Sequence, residues 1–306
     1  MIISASRRTD IPALYSEWFM NRVRAGWCET PNPVNPRQVA RVPLDPRQVD
    51  AIVFWSKNPA PMIERLEELD RMGFRYYFQF TLNDYPRLLE PKIPDIGDRI
   101  DTFLALSRRL GPLRVVWRYD PIVISNMTPP AFHKERFAQI ARELEGATHR
   151  VMLSIVALYR KTERRLASLA KEGFCLDRCA VTSREMTDLL EGIARVARAH
   201  RMEPFTCAQD AGRSDAPIPP GRCIDESLVN RIWSLNLPYR KDPSQRRLCR
   251  CCVSKDIGLY DTCIHGCAYC YSTSNLACAQ ERYREHNPFS PAIWNNEQAG
   301  HPRNSG

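Results

Sequence analysis

Three cysteines near the C-terminus have the spacing of iron–sulfur ligands. Residues 263–270 read CIHGCAYC, so three and then two residues separate Cys263, Cys267 and Cys270, and Tyr269 directly precedes the last thiol. Three thiolates this close in one loop can ligate three irons of a [4Fe–4S] cube. The fourth iron is then open and can chelate a small molecule, whereas a structural zinc site favours paired C-x2-C units. We expect His265, inside this loop, to shape it rather than to ligate iron.

Four further cysteines form a second candidate metal site: Cys207, Cys223, Cys249 and Cys251, with Cys252 as a substitute. They come from separate loops. They could complete an auxiliary iron–sulfur cluster, which would hold substrate or relay electrons, or a structural zinc site, which would brace the loops. A site without metal is the third alternative. The scattered Cys28, Cys175, Cys179 and Cys278 are expected to be small buried hydrophobic side chains.

The elements that must position these cysteines alternate between short apolar runs and longer amphipathic ones. Strands are predicted at Ile2–Ser6, Ala51–Ser56, Tyr76–Thr81, Val115–Tyr119, Val151–Val156 and Pro204–Cys207. Helices are predicted at Ala13–Ala25, Ala60–Met72, Asp98–Leu110, Ala131–Glu145 and Ser183–His200. Repeated β-then-α units indicate parallel strands with right-handed crossovers. The predicted fold class is therefore α/β, as a partial or complete TIM-like (β/α) barrel.

Polar side chains follow or end several of these strands. Residues 7–10 come directly after the first strand, and Lys57 follows the second. Because the carboxyl ends of parallel barrel strands open on one face, we expect these residues to meet there. Arg118 and Asp120 alternate along a later strand and are candidate catalytic residues, although an arginine–aspartate pair is more often structural.

Composition limits the class of protein. The net charge of +9, from 44 Lys+Arg against 35 Asp+Glu, is spread along the chain and permits a nucleic-acid partner without favouring it. No run of about 18 apolar residues and no signal-peptide pattern occurs, which predicts a cytoplasmic protein without a membrane partner. In that compartment twelve cysteines favour metal binding over disulfides. The predicted organisation is a main barrel part (1–210), a cysteine-rich segment that completes the barrel (211–286) and an irregular tail (287–306).

The cysteine triplet resembles that of the radical S-adenosylmethionine superfamily. The wider segment Gln245–Ser272, together with the N-terminal MIISASRRTDIP, resembles the bacterial family DUF1848. This second resemblance covers nearly the whole chain and includes FWSKNP, YYFQFTL and VVWRYDP. The TCA, CID and CxC motifs that contain the second cysteine group resemble the family's as well.

The superfamily resemblance implies an enzyme with a [4Fe–4S] cluster and S-adenosylmethionine. The open iron would bind the amino and carboxylate groups of the cofactor. An electron from a donor such as flavodoxin or ferredoxin would reduce the cluster, cleave the sulfonium and give a 5′-deoxyadenosyl radical. That radical would abstract hydrogen from an unknown, polar substrate.

The late position of the triplet differs from the superfamily's usual order, in which it follows the first strand. Here a strand at Asp256–Tyr260 and a helix at Ser274–His286 would flank the loop and pack beside Ile2–Ser6, as in a circular permutation. This arrangement would bring Arg7, Arg8, Thr9 and Asp10 to the cofactor. An acidic side chain suits its ammonium and an arginine its carboxylate; Lys57 and Tyr269 are further cofactor candidates.

The alternative is a non-enzymatic protein that binds zinc or an iron–sulfur cluster in regulation or on nucleic acid. The Arg, Lys and Asp side chains at the strand ends favour the enzyme, because a simple binding module does not need charged side chains around the open face of a barrel.

Overall fold

The chain alternates strands and helices along most of its length. The computed structural model describes residues 1–33, 35, 37–178, 184–208 and 218–294. Its strands are β1 (Ile2–Ala5), β2 (Trp27–Pro31), β3 (Val39–Pro43), β4 (Ala51–Ser56), β5 (Tyr76–Thr81), β6 (Val115–Ile122), β7 (Arg150–Ile155), β8 (Glu203–Thr206) and β9 (Lys255–Asp256). Its helices are α1 (Ile11–Leu14), α2 (Ser16–Ala25), α3 (Ala60–Ile63), α4 (Leu66–Arg71), α5 (Ile96–Leu110), α6 (Pro130–Glu143), α7 (Arg160–Ser168), α8 (Arg184–Ala199), α9 (Glu226–Trp233) and α10 (Leu276–Arg284).

Seven of the described strands form one sheet in the order β8-β7-β6-β5-β4-β1-β9. Every neighbouring pair in it is parallel. The carboxyl ends of all these strands therefore lie along one edge, which we call the carboxyl edge. The remaining strands, β2 and β3, form an antiparallel hairpin of their own.

The two faces of the sheet are covered differently. Side chains alternate between the faces along each strand. On the helical face Ile52, Phe54 and Phe78 share one core with α2, α4, α5, α6 and α8. On the opposite face, the cysteine face, Val53 and Tyr77 pack instead against α9 and buried cysteines.

The predicted α/β class with parallel strands is confirmed, but the sheet is open, so the complete form of the predicted partial or complete barrel is wrong. Strands β8 and β9 are its two edges within the described residues. A closed barrel fills its interior with its own strand side chains. Here the segment that carries α9 and several cysteines lies on the face that would have become that interior.

Residues 257–275, which carry the cysteine triplet, form a loop between β9 and α10 that we call the cluster loop. It follows a strand that pairs with the N-terminal strand, as predicted. Residues Ile3 and Ser4 of β1 are in parallel register with Lys255 and Asp256 of β9. The strand is shorter than the predicted Asp256–Tyr260, because the chain turns away after Asp256. The helix beyond the loop is α10, within the predicted Ser274–His286.

Most predicted elements occur, with bounds shifted by a few residues. Two predicted helices are each divided, Ala13–Ala25 into α1 and α2, and Ala60–Met72 into α3 and α4. The hairpin of β2 and β3 and the helix α7 were missed. The start of the predicted helix at Ser183 lies outside the described residues.

The cysteine-rich segment belongs to the same sheet as the N-terminal part, because β9 pairs with β1. In the predicted tail, Ala292, Ile293 and Trp294 are buried, and Trp18 Nε1 donates a hydrogen bond to the Ser290 carbonyl at 2.9 Å. Residues 211–217 and 295–306 of the predicted segments lie outside the described residues. Among the described helices, none has the length and apolar composition needed to cross a bilayer.

Candidate metal centres at the carboxyl edge of the sheet

Asp256, the last residue of β9, fixes the start of the cluster loop against β1. Its carboxylate accepts hydrogen bonds from Ser4 Oγ (2.8 Å), Ser6 Oγ (2.6 Å) and the amide of Arg7 (2.9 Å). Gly258 follows so closely that a Cβ there would lie 1.9 Å from Ser6 Oγ. Only glycine allows this approach, so the loop leaves β9 in direct contact with the end of β1.

Three contacts from other elements hold the cluster loop. Tyr15 donates a hydrogen bond to the Thr262 carbonyl at 2.6 Å, and the Ala268 amide donates to the Leu89 carbonyl at 2.9 Å. Arg165, on α7, donates to the carbonyls of Cys267 (3.0 Å) and Cys270 (3.2 Å). Sequence reasoning missed Arg165, because its helix reads only as a charged amphipathic segment.

The triplet thiols lie close together in a sheltered place. Cys267 is buried, whereas Cys263 and Cys270 are half-buried. Burial, followed by the charges of Cys270 and Asp10, raises the pKa of Cys263 to about 12. Burial also raises the pKa of Cys267 well above its ordinary value. Burial thus disfavours the charged form of Cys263 and Cys267.

Asp10 connects three elements around the triplet. One oxygen, Oδ1, caps α1 by accepting from the Ala13 amide at 3.0 Å. The other, Oδ2, accepts from the Lys57 amide at 2.8 Å and from His265 Nε2 at 3.0 Å. The predicted cofactor ligand Asp10 is thus engaged in joining β1, β4 and the cluster loop.

The other predicted residues of the β1 end lie around it. The Arg7 guanidinium lies 5.5 Å from the Trp55 ring centroid. Arg8 lies 5.2 Å from the Tyr260 ring centroid and donates to the Gly258 carbonyl at 3.3 Å. Thr9 is buried, and its Oγ1 has no hydrogen-bond partner among the described residues.

Lys57 and Tyr269, both predicted to bind cofactor, share the buried carboxylate of Glu90. Lys57 Nζ lies 2.8 Å from Glu90 Oε1, and the Tyr269 hydroxyl donates to the same oxygen. Burial alone would raise the pKa of Glu90, but the charges of Lys57 and Arg99 outweigh it and lower that pKa. Glu90 lies in the connection after β5, where no sequence pattern distinguished it.

The second cysteine group forms a row on the cysteine face. Cys223 Sγ donates to Cys207 Sγ at 3.1 Å. Cys251 lies near enough to Cys223 and Cys249 to raise the pKa of both thiols. The contact from Cys223, assisted by Arg118, lowers the pKa of Cys207 to about 6. Cys252 stands outside this row among the described residues, and burial raises its pKa to about 12.

The candidate catalytic pair, Arg118 and Asp120, is adjacent to this second group. Arg118 Nη1 donates to Cys223 Sγ at 2.9 Å, and Nη2 pairs with Asp120. Asp120 also accepts from Ser154 Oγ. The guanidinium is therefore fully engaged with protein groups, and the contact to a thiol was not anticipated from the sequence.

The scattered cysteines differ from one another. Cys28 is buried, as predicted, and burial raises its pKa to about 12. Cys278 is half-buried, and Cys175 is exposed, so the prediction for Cys175 is wrong. Its segment lies at the molecular surface, beyond the 3₁₀ turn Leu169–Glu172. Cys179 lies outside the described residues.

Neither cysteine group is a formed metal site as its side chains stand. Within the described ranges, no three His, Cys, Asp or Glu side chains are grouped so that they could hold a metal ion. What the structure provides is proximity: two thiol groups, each gathered at one place near the carboxyl edge.

The fold and the site define the class: an α/β protein with an open parallel sheet and cysteine groups at its carboxyl edge. The family model described as "Domain of unknown function (DUF1848)" matches residues 2–272. The chain belongs to this family, which confirms the predicted resemblance, and the match includes both cysteine groups. A comparison with curated proteins finds no match.

Proposed function

We propose that this protein is a radical S-adenosylmethionine enzyme that holds a [4Fe–4S] cluster through Cys263, Cys267 and Cys270. The observation that carries the proposal is the position of the triplet. The three thiols lie in one loop that follows β9 at the carboxyl edge, and His265 of this loop is hydrogen-bonded to Asp10, just after β1. Active sites of parallel β/α folds are built at this edge.

The surroundings of the triplet fit a cluster with three thiolate ligands. The three thiols interact with one another electrostatically. Within the described residues no hydrogen bond joins any two of them, as suits thiolates that would each bind a different iron. Arg165 donates hydrogen bonds to the carbonyls of Cys267 and Cys270, so the backbone of the loop is held in place before a cluster binds. When bound, the cluster would supply the electron that cleaves the sulfonium and yields the 5′-deoxyadenosyl radical.

The residues of this chain would divide the remaining tasks. Arg7 and Arg8, at the end of β1, are suited to a carboxylate, because guanidinium groups recognise it in bidentate fashion. Asp10 already accepts three hydrogen bonds, so we assign it mainly to positioning the loop through His265. Lys57, Glu90 and Tyr269 form a buried network that would hold the last cysteine of the triplet in place.

The test is anaerobic purification followed by reduction with S-adenosylmethionine. The protein should be brown, contain iron and acid-labile sulfide, and release 5′-deoxyadenosine when dithionite is added. A triple serine variant of Cys263, Cys267 and Cys270 should release none. A colourless protein with zinc only would contradict the proposal and favour the non-enzymatic metal protein instead.

A further inference from the structure

The second cysteine group differs from the triplet in how close its thiols are. Cys207 and Cys223 are 3.1 Å apart at sulfur, and Cys251 is near enough to Cys223 and Cys249 to raise the pKa of both. In a tetrahedral site with Zn–S bonds of about 2.3 Å, neighbouring sulfurs lie roughly 3.8 Å apart. A cubane cluster, in contrast, stands between its thiolates and keeps them out of contact.

These thiols also receive hydrogen bonds of the kind that metal-bound thiolates accept. Arg118 Nη1 donates to Cys223 Sγ at 2.9 Å, and the Ile224 amide donates to Cys251 Sγ at 3.4 Å. Outer N–H donors of this sort orient ligands and stabilise their negative charge. Such donors favour the thiolate form of the sulfurs that they contact.

Two guanidiniums lie beside the second cysteine group. Four thiolates and one Zn²⁺ carry a net charge of −2, which is costly in a buried place unless it is compensated. Arg118 contacts Cys223, and Arg7 interacts electrostatically with Cys251 and Cys223. Because Arg118 is also paired with Asp120, the two guanidiniums offset this charge only in part.

We propose that Cys207, Cys223, Cys249 and Cys251 bind a single tetrahedral zinc ion. The ion would part Cys207 and Cys223 by roughly 0.7 Å, the difference between the observed spacing of 3.1 Å and the tetrahedral one of about 3.8 Å. Within the described residues the thiols are not yet grouped as a complete ligand set, so binding would also require Cys249 and Cys251 to close on the ion.

The site would clamp three segments over the cysteine face. Cys207 directly follows β8, Cys223 precedes α9, and the remaining two ligands precede β9. Because the last of these segments leads through β9 into the cluster loop, zinc would hold the triplet's supporting strand in register. This role is structural and does not depend on the proposed radical chemistry.

The experiment uses the full chain with Cys263, Cys267 and Cys270 replaced by serine, purified without oxygen from medium that contains zinc and iron. We expect about one zinc per chain and no acid-labile sulfide. Adding Cys223→Ser and Cys251→Ser should lower the zinc content at least tenfold. Adding Cys175→Ser and Cys278→Ser instead, outside both groups, should leave it unchanged.

A second measurement covers the case in which the five-serine variant fails to fold. Cobalt(II) exchanged into the triple-serine protein should give the visible bands of a tetrahedral tetrathiolate site. Iron with stoichiometric sulfide in that protein would overturn the proposal in favour of an auxiliary cluster. A folded triple-serine protein that binds neither zinc nor cobalt would overturn it as well. Because the triplet is absent throughout, these outcomes are independent of 5′-deoxyadenosine release by the native chain.

Discussion

The two cysteine groups of this chain are built in opposite ways. The triplet comes from one loop of eight residues, CIHGCAYC, whereas the second group is assembled from three segments around the cysteine face. The triplet thiols interact electrostatically with Asp10, Glu90 and Lys57. In the second group Cys223 Sγ contacts Cys207 Sγ, and Arg118 donates a hydrogen bond to Cys223. Carboxylates and an amine around the triplet suit a reactive centre, whereas two thiols in contact beside a guanidinium suit a closed structural one.

The largest expected difference between the groups is in activity. Cys267→Ser should lower 5′-deoxyadenosine release more than 100-fold, because the cluster loses a ligand, while bound zinc stays near one per chain. Cys175→Ser, at the surface, is the matched control and should change neither. Metal analysis and product chromatography on the same preparations measure both. A parallel loss of zinc would show that the two groups are one site.

A fall in pH should destabilise the region around the cysteine triplet, because it protonates Glu90. Glu90 is buried, and its pKa is lowered from the ordinary 4.5. A depressed carboxyl pKa contributes stability above the unfolded-state pKa and loses it as pH falls through the folded-state pKa. Glu90→Gln should therefore cost about 3 kcal/mol at pH 7, since it breaks a buried pair, and should flatten the fall in stability below about pH 4.5. Chemical denaturation at pH 7 and at lower pH tests this. An unchanged acid profile would contradict it.

Gly258 lies where β9 meets β1, and the close packing there should make protein stability sensitive to an added side chain. Gly258→Ala would place a Cβ 1.9 Å from Ser6 Oγ and should destabilise the protein by about 1–3 kcal/mol. Gly97→Ala, in the first turn of α5 with nothing within 4 Å, is the control and should be neutral or slightly stabilising. Thermal denaturation compares the two. Equal melting temperatures would show that the loop has room to shift.

The smallest effect is expected for the charge of Asp10. Asp10→Ala removes the α1 cap and the acceptor for His265, and should cost about 1–2 kcal/mol. Asp10→Asn keeps a capping oxygen and should recover part of this loss, while its cluster content stays close to that of the native chain. If Asp10→Asn abolished S-adenosylmethionine binding without lowering iron content, Asp10 would contact the cofactor directly, contrary to the positioning role assigned to it.

The strands of the sheet were predictable because burial on both faces leaves near-continuous apolar runs. β4 and β5 occupy the predicted residues, and β1 ends one residue early. The hairpin of β2 and β3 was missed, because its strands mix charged residues and prolines with few apolar ones. Whether the sheet closes into a barrel could not be predicted from the sequence. It depends on which distant segment covers the cysteine face, and no local pattern encodes that.

The site was predictable to the extent that its chemistry lies within one loop. Spacing singled out the cysteine triplet, and the predicted packing of its loop beside the first strand corresponds to the pairing of β9 with β1, which brings Asp10 to His265. Glu90 and Arg165 could not be found, because a single carboxylate in a connection and an arginine on a charged helix resemble solvated surface residues. The partners of Arg118 were likewise hidden, since Cys223 is 105 residues away in sequence.

The bond between Asp256 and Ser6 also sets an order of events during synthesis. These residues are separated by 250 positions, so β1 emerges from the ribosome long before its neighbour β9 exists. Until then β1 can pair with β4 on its other side, but the strand that positions the cluster loop is still missing. Insertion of the proposed cluster is therefore expected to be one of the last steps of maturation, after nearly all of the sheet has formed.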